Sequence, residues 1–401
     1  MSSLSNDEII LLDILIYLEW EAKEDEQLVN IIDNLLNEKE LKYLIDNMSN
    51  CIVKMKINEW IKVLTEAKKK SKLCELKIKN VESHKNGMRV ACFIDNDGKA
   101  VVVFRGTTTQ KEWEDNGQGA YEYDTIQQID ALNYVNNLPY DNITVTGHSK
   151  GGNKAQYVTI LSPKVEKCIS VNGQGFSNEF LKRYKEEIEN NKSKIISINA
   201  KYDYVNCLFN KISNEIHYIK TDIQINPFDY HRADILLDHE GNIREEVSCG
   251  IFSKLINDFS ISLISDLPED IRSLTIDGLI GGIELVLCKG QTSERLIKII
   301  GGIIIVVTYG RYFKYKETFL LTYTVIQGLI LPLIFWNDFV NIEEENSKEL
   351  FNNVTSNITI LGKEIIQKLN NIDGIKNPVA QSVSKSITNL IESITIQQLL
   401  L

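Results

Sequence analysis

The residues best placed to do chemistry are Gly147-His148-Ser149-Lys150-Gly151-Gly152. A serine hydroxyl is a weak nucleophile until it is lifted out of the backbone and set beside a base. The G-x-S-x-G spacing lifts it when a strand precedes and a helix follows. Here Ile143 to Thr146 is a β-branched strand, and Lys150 to Leu161 reads as a helix. Glycines two residues either side of Ser149 remove side chains that would strike the neighbouring backbone. The helix start aims free N–H groups and a positive dipole end at an oxyanion above the serine. The alternative is a glycine-rich turn with an incidental serine. The strand before it and helix after it argue for the nucleophile elbow.

An activated serine needs a base, an acid to orient the base, and an oxyanion hole. In the chain order serine, acid, histidine, Asp203 falls just past the strand Ile195 to Asn199. Asp222 and Asp229 compete with it. Asp222 follows a less apolar strand, Glu215 to Ile219, and Asp229 stands too close to the best histidine. The histidines are His84, His148, His217, His231 and His239. His84 comes too early, His148 turns away from the serine, His217 lies within a strand, and His239 occupies a polar turn. His231 sits in a loop before an apolar segment, Ala233 to Leu237, and is the favoured base. The oxyanion hole should combine the N–H of Lys150 with that of Thr107, in the loop Arg105-Gly106-Thr107 that follows an earlier strand. No metal or organic cofactor is required.

The elements that must hold these residues follow from periodicity. Residues 5 to about 72 are helical in pattern, with Ile9, Leu12, Leu15 and Leu18 at helical spacing behind a Ser5/Asn6 cap. Glu26 to Leu36 and Ile57 to Ala67 look the same. From about Leu76 the period shortens to two. Arg89 to Asp95 and Lys99 to Phe104 are strands joined by a tight Asn96-Asp97-Gly98 turn. A helix (Thr125 to Leu138), the elbow, a strand (Val165 to Val171), a helix (Ser177 to Glu189) and the strand from Ile195 follow. Such alternation predicts an α/β fold with a mostly parallel sheet covered by helices on both faces. Sites in these sheets gather at the carboxyl ends of strands, where Ser149 and its partners fall. The polar stretch Gln110 to Tyr123 is placed to act as a lid.

Beyond about Gly250 the strand pattern stops. Residues 251–401 read as an all-α region with apolar runs at Leu274 to Cys288, Ile297 to Gly310 and Thr318 to Asn337. The last is long enough to be a membrane-span candidate, and Arg311 to Lys316 mixes cations with aromatics as interfacial segments do. Membrane contact through 274–337 is therefore one expectation, and a buried helical hairpin the other. The tail from Asn346 is amphipathic. The expected units are 1–75, 76–250 and 251–401. A net charge of −11 argues against a general nucleic-acid binder. Seven scattered cysteines without a CxxC argue for reduced thiols. No secretory signal is evident, so the expected location is cytoplasmic, with membrane association as the variant.

Val102-Val-Phe-Arg-Gly-Thr107 and Gly147-His-Ser-Lys-Gly-Gly152 together resemble the class 3, fungal triacylglycerol-lipase type of α/β-hydrolase. The likeness is greater still to a group of uncharacterised bacterial lipase-like proteins that carry Gly-His-Ser-Lys-Gly-Gly-Asn. It covers about residues 7 to 247. It implies a serine ester hydrolase with Ser149, Asp203 and His231 as triad, Thr107 and Lys150 at the oxyanion hole, and a lipid or other acyl ester as substrate. Lys150 replaces the apolar residue usual in the lipases. Its ammonium is expected either to face the cleft, which disfavours neutral triacylglycerol, or to point to solvent. The rival expectations are a membrane-associated effector driven by residues 251–401 and an inactive hydrolase fold used for binding.

Overall fold

The computed structural model describes residues 4–48, 55–108, 121–225, 227–265, 334–371 and 378–400, with isolated positions at 112, 115, 118–119, 324, 327–328 and 331–332. Its centre is an eight-stranded sheet in simple chain order: β1 (Lys77–Ser83), β2 (Arg89–Ile94), β3 (Ala100–Phe104), β4 (Ile143–His148), β5 (Val165–Val171), β6 (Ile195–Ala200), β7 (Glu215–Ile219) and β8 (Glu246–Val247). β1 to β3 form an antiparallel meander. β3 to β7 are parallel, and β8 closes the far edge antiparallel. The fold is thus α/β with a mostly parallel sheet and a helical C-terminal region.

Chain order has a consequence for cover. Parallel neighbours joined by right-handed crossovers send every connecting helix to the same face. Helices Ile126–Asn137, Lys150–Leu161, Asn178–Arg183 and Lys185–Asn191 accordingly share a core with Val90, Cys92, Val102, Phe104, Val145 and Cys168. The alternate residues Ala91, Phe93, Val101, Val103, Ile169 and Val171 face the other way. No crossover helix reaches them. The N-terminal segment supplies their cover.

Helix Asn6–Leu15 therefore lies against the sheet, and its composition suits that place. From Glu8 to Leu15 every side chain is buried. A helix apolar on all sides is an internal helix. Its start is fixed by the Glu8 carboxylate, which accepts from the Ser5 N–H at 2.9 Å and the Ser5 hydroxyl at 3.0 Å. Helices Leu28–Leu35, Glu38–Asn47, Ile57–Lys69 and Ser71–Glu75 build outward from it. Helices thus cover both faces as expected, but the second face is covered by the N-terminal segment and not by the strand–helix alternation. Two edge strands escape the sequence pattern. β1 buries only Ile78 and so lacks clear alternation, while β8 has two residues.

The C-terminal helices Ile251–Ser265, Trp336–Glu345, Lys348–Asn371 and Pro378–Leu400 share one core with the loops that follow β6 and precede β8. Tyr202, Tyr204, Phe228 and Tyr230 from those loops pack with Leu255, Phe259, Trp336 and Phe339. Asn257 Nδ2 donates to the carbonyls of Cys207 at 2.8 Å and Phe209 at 2.6 Å. Tyr202 donates to Glu344 at 2.6 Å. The expected apolar runs at 274–288 and 297–310, and most of 318–337, lie outside the described residues. Among the described residues no helix is long and apolar enough to cross a membrane.

One polar group interrupts the layer under the sheet. Asp13 is wholly buried and accepts from the Thr146 hydroxyl at 2.9 Å, while its second oxygen has no hydrogen-bond partner. Burial raises its pKa well above the ordinary 3.8, and the Thr146 bond offsets this only in part. A raised carboxyl in the folded state gives stability that is full below 3.8 and is lost as pH rises through the folded value. Asp13→Asn should therefore melt higher than wild type at pH 7–8, with the gap closing toward pH 4. Melting curves across that range check this; a gap independent of pH would contradict it.

Candidate active site

The strand β4 runs straight into the turn that carries Ser149. The Ser149 backbone has φ 60° and ψ −125°, which side-chain-bearing residues rarely adopt. The Ser149 N–H donates to the Val171 carbonyl at 2.9 Å, and the Ser149 carbonyl accepts from the Asn153 N–H at 3.1 Å. The first bond fixes the turn to β5, and the second starts the helix Lys150–Leu161. The surrounding glycines are there for room. A methyl on Gly151 would stand 2.0 Å from the Phe104 carbonyl oxygen. One on Gly106 would stand 2.1 Å from the Tyr17 hydroxyl and 2.6 Å from the His148 carbonyl oxygen. The loop after β3, the turn after β4 and the N-terminal segment therefore meet at backbone distance.

Asp203 lies just past β6 and is wholly buried. Its carboxylate accepts from the N–H groups of Val205 at 3.0 Å and Asn206 at 2.9 Å, and from Asn206 Nδ2 at 3.0 Å. The remaining contact is His231 Nδ1 to Asp203 Oδ1 at 2.9 Å. His231 ends the short 3-10 turn Pro227–His231 and is buried. Its Nε2 has no hydrogen-bond partner. A buried imidazole with one nitrogen held by a carboxylate and the other unbonded is arranged to take a proton. The Ser149 hydroxyl is not hydrogen-bonded to it in this conformation.

What sets His231 against the elbow is its neighbour, His148. His148 Nε2 contacts the His231 carbonyl oxygen at 2.7 Å, and the two rings lie 4.8 Å apart. His148 Nδ1 contacts the Tyr17 hydroxyl at 2.7 Å. A carbonyl only accepts, so Nε2 carries the proton. The neutral ring then accepts from Tyr17 at Nδ1. Burial first, and the adjacent His231 second, hold the His148 pKa well below its ordinary value, so the ring stays neutral. His148 is thus a tether between the N-terminal segment and the His231 loop. Asn172, at φ 47°, adds a second: its side chain donates to the His231 carbonyl at 3.2 Å and accepts from the Ala200 N–H at 2.8 Å.

The residues singled out in sequence fall as follows. Ser149, Asp203 and His231 come from the ends of β4 and β6 and from the loop after β7, and the last two are in direct contact. Thr107, in the loop after β3, is buried. Asp222 is held at the surface by Arg244, at 2.7 Å. His217 bonds Glu215 and Glu246. His84 lies beside Glu82, and His239 is exposed.

Lys150 is the correction. Its side chain faces neither cleft nor solvent. It is wholly buried, with its ammonium 2.9 Å from Asp115 Oδ2. The stretch expected as a lid, Gln110 to Tyr123, is described only in part. Glu112 and Asp115 are buried there and bonded inward. The two acids and Tyr17 were not legible as site residues. The signal available was Lys150 and Lys154, two cations one turn apart on a helix that packs inside the protein.

A family model described as Mbeg1-like matches residues 78–280, just over half of the chain. That span contains the elbow, Asp203 and His231. No curated protein and no solved structure matches.

The tether is open to a direct check. Tyr17→Phe strips the buried His148 Nδ1 of a hydroxyl donor and should lower stability by about 1–3 kcal/mol. Urea unfolding measures this. A change below the error of the measurement would mean that the contact adds nothing to the folded state.

Proposed function

The chain belongs to the Mbeg1-like family, and we propose that this member is a serine ester hydrolase of α/β-hydrolase type acting on acyl esters. The observation that carries the reading is the buried Asp203–His231 pair, with an unbonded Nε2, beside a serine strained onto a nucleophile elbow. In this reading Ser149 Oγ attacks the ester carbonyl while His231 Nε2 takes its proton. Asp203 holds the Nδ1–H and stabilises the imidazolium. The N–H groups of Thr107 and Lys150 donate to the carbonyl oxygen as charge develops on it. The tetrahedral intermediate collapses, and His231 returns the proton to the leaving alcohol. Water, activated by the same nitrogen, then releases the acid.

One feature bears on the substrate. The buried Lys150–Asp115 pair leaves no lysine charge for the substrate to meet at this position. The reason to disfavour neutral lipid esters therefore falls away. The likeness to class 3 lipases supports the same reading.

Labelling by a fluorophosphonate probe tests the nucleophile. Wild type should label and Ser149→Ala should not, with an unchanged circular dichroism spectrum. Turnover of a short-chain nitrophenyl ester should fall on the order of 10⁶-fold in Ser149→Ala and about 10⁴-fold in Asp203→Asn. Retained turnover in folded Ser149→Ala would sink the mechanism.

A further inference from the structure

The elbow helix carries two buried cations at its start. Lys150 Nζ lies 2.9 Å from Asp115 Oδ2 and 3.3 Å from the Asp115 carbonyl oxygen. Lys154, one turn on, is also wholly buried, with Nζ 3.3 Å from Gln127 Oε1. Burial pulls the Lys154 pKa down to about 8, against the raising fields of Glu112 and Asp115. A helix N-terminus disfavours cations, and a dry interior disfavours them more. Their placement therefore depends on the facing acids.

Those acids stand three positions apart in the chain. Asp115 accepts from the Thr125 hydroxyl at 2.8 Å and the Gln127 N–H at 3.1 Å. Burial alone would raise its carboxyl; the Lys150 ammonium and these bonds outweigh it and hold the pKa below the usual value. Glu112 reaches the other way. Its Oε2 accepts from the Thr108 N–H at 2.8 Å and the Thr108 hydroxyl at 3.1 Å, with Arg105 Nη2 at 3.7 Å. One end of the cluster therefore grips the residue after Ser149. The other grips the residues on both sides of Thr107.

We propose that the Lys150 side chain is a positioning residue: through Asp115 and Glu112 it fixes the loop of Thr107 opposite its own backbone N–H, so that the two donors of the oxyanion hole stay in register. This rests on the ester-hydrolase reading. The lysine thus has two separable parts, an N–H that touches the reacting oxygen and an ammonium that sets where the second N–H stands. Geometry of this kind acts on the transition state, because the carbonyl oxygen moves and charges only there.

The test compares wild type with Lys150→Met, Asp115→Asn and Glu112→Gln on a short-chain nitrophenyl ester. A trifluoromethyl ketone, whose adduct mimics the oxyanion, serves as inhibitor. Lys150→Met and Asp115→Asn should lower kcat about 10²-fold, the scale of one lost oxyanion donor. KM should stay within about threefold, and ketone affinity should fall in step with kcat. The double variant Lys150→Met/Asp115→Asn should lose little more than either single one, because both act through one contact. If Lys150→Met does not fold, the shape-preserving Asp115→Asn and Glu112→Gln carry the comparison. Unimpaired kcat in folded Asp115→Asn, beside an active wild type, overturns the clamp alone. So does a loss of kcat with ketone affinity unchanged. A wild type that neither turns over nor labels at Ser149 overturns the hydrolase reading, and the clamp's role with it.

Discussion

The backbone at Ser149 is the constraint on which the rest depends. A non-glycine residue at φ 60° and ψ −125° costs on the order of 1–3 kcal/mol and relaxes unless its surroundings forbid it. Here they forbid it from several sides. The N–H is held by β5, the carbonyl by the first turn of its own helix, and the flanks by glycines pressed against β3. No single contact does this. Ser149 keeps this conformation because β3, β5 and its own helix leave it no room to turn back.

The same crowding brings His231 into place. His231 arrives from a loop over 80 residues beyond the elbow, and such a loop is free to settle in many ways. It is caught by His148 and Asn172 through its backbone carbonyl, and by Asp203 through its ring. The outer sides of the Asp203 and His231 loops are sealed by the C-terminal helices. The geometry of the candidate site thus joins all three parts of the chain: Tyr17 below, the sheet in the middle, and the Trp336–Tyr204 contact above, with ring centroids 5.5 Å apart.

Legibility in the sequence followed the range of the interactions. The elbow is local, so six consecutive residues announce it. The acid and base of the proposed triad follow a chain order and a rule about strand ends, so Asp203 and His231 could be picked from a short pool. Their contact is then a matter of distance, which sequence does not carry. Lys150 was misjudged for the same reason. A lysine beside a nucleophile reads as a surface or cleft cation, and only the arrival of Asp115 from 35 residues upstream makes burial tolerable. The edge strands β1 and β8 were missed because little of either is buried, so hydrophobic alternation had nothing to mark.

Sheet order also has a consequence in time. Helix Asn6–Leu15 is apolar on nearly all sides and rests on β3, β4 and β5, yet β5 ends only at Val171. A ribosome adding ~5–20 residues per second takes roughly 10–30 s to cover that interval. Through it the nascent chain displays Ile9, Ile10, Leu11 and Leu12 with no native surface to receive them. The segment that later tethers His148 through Tyr17 begins as an exposed apolar stretch. Synthesis of this protein therefore leans on whatever shields emerging apolar helices, and a slower ribosome lengthens the exposure.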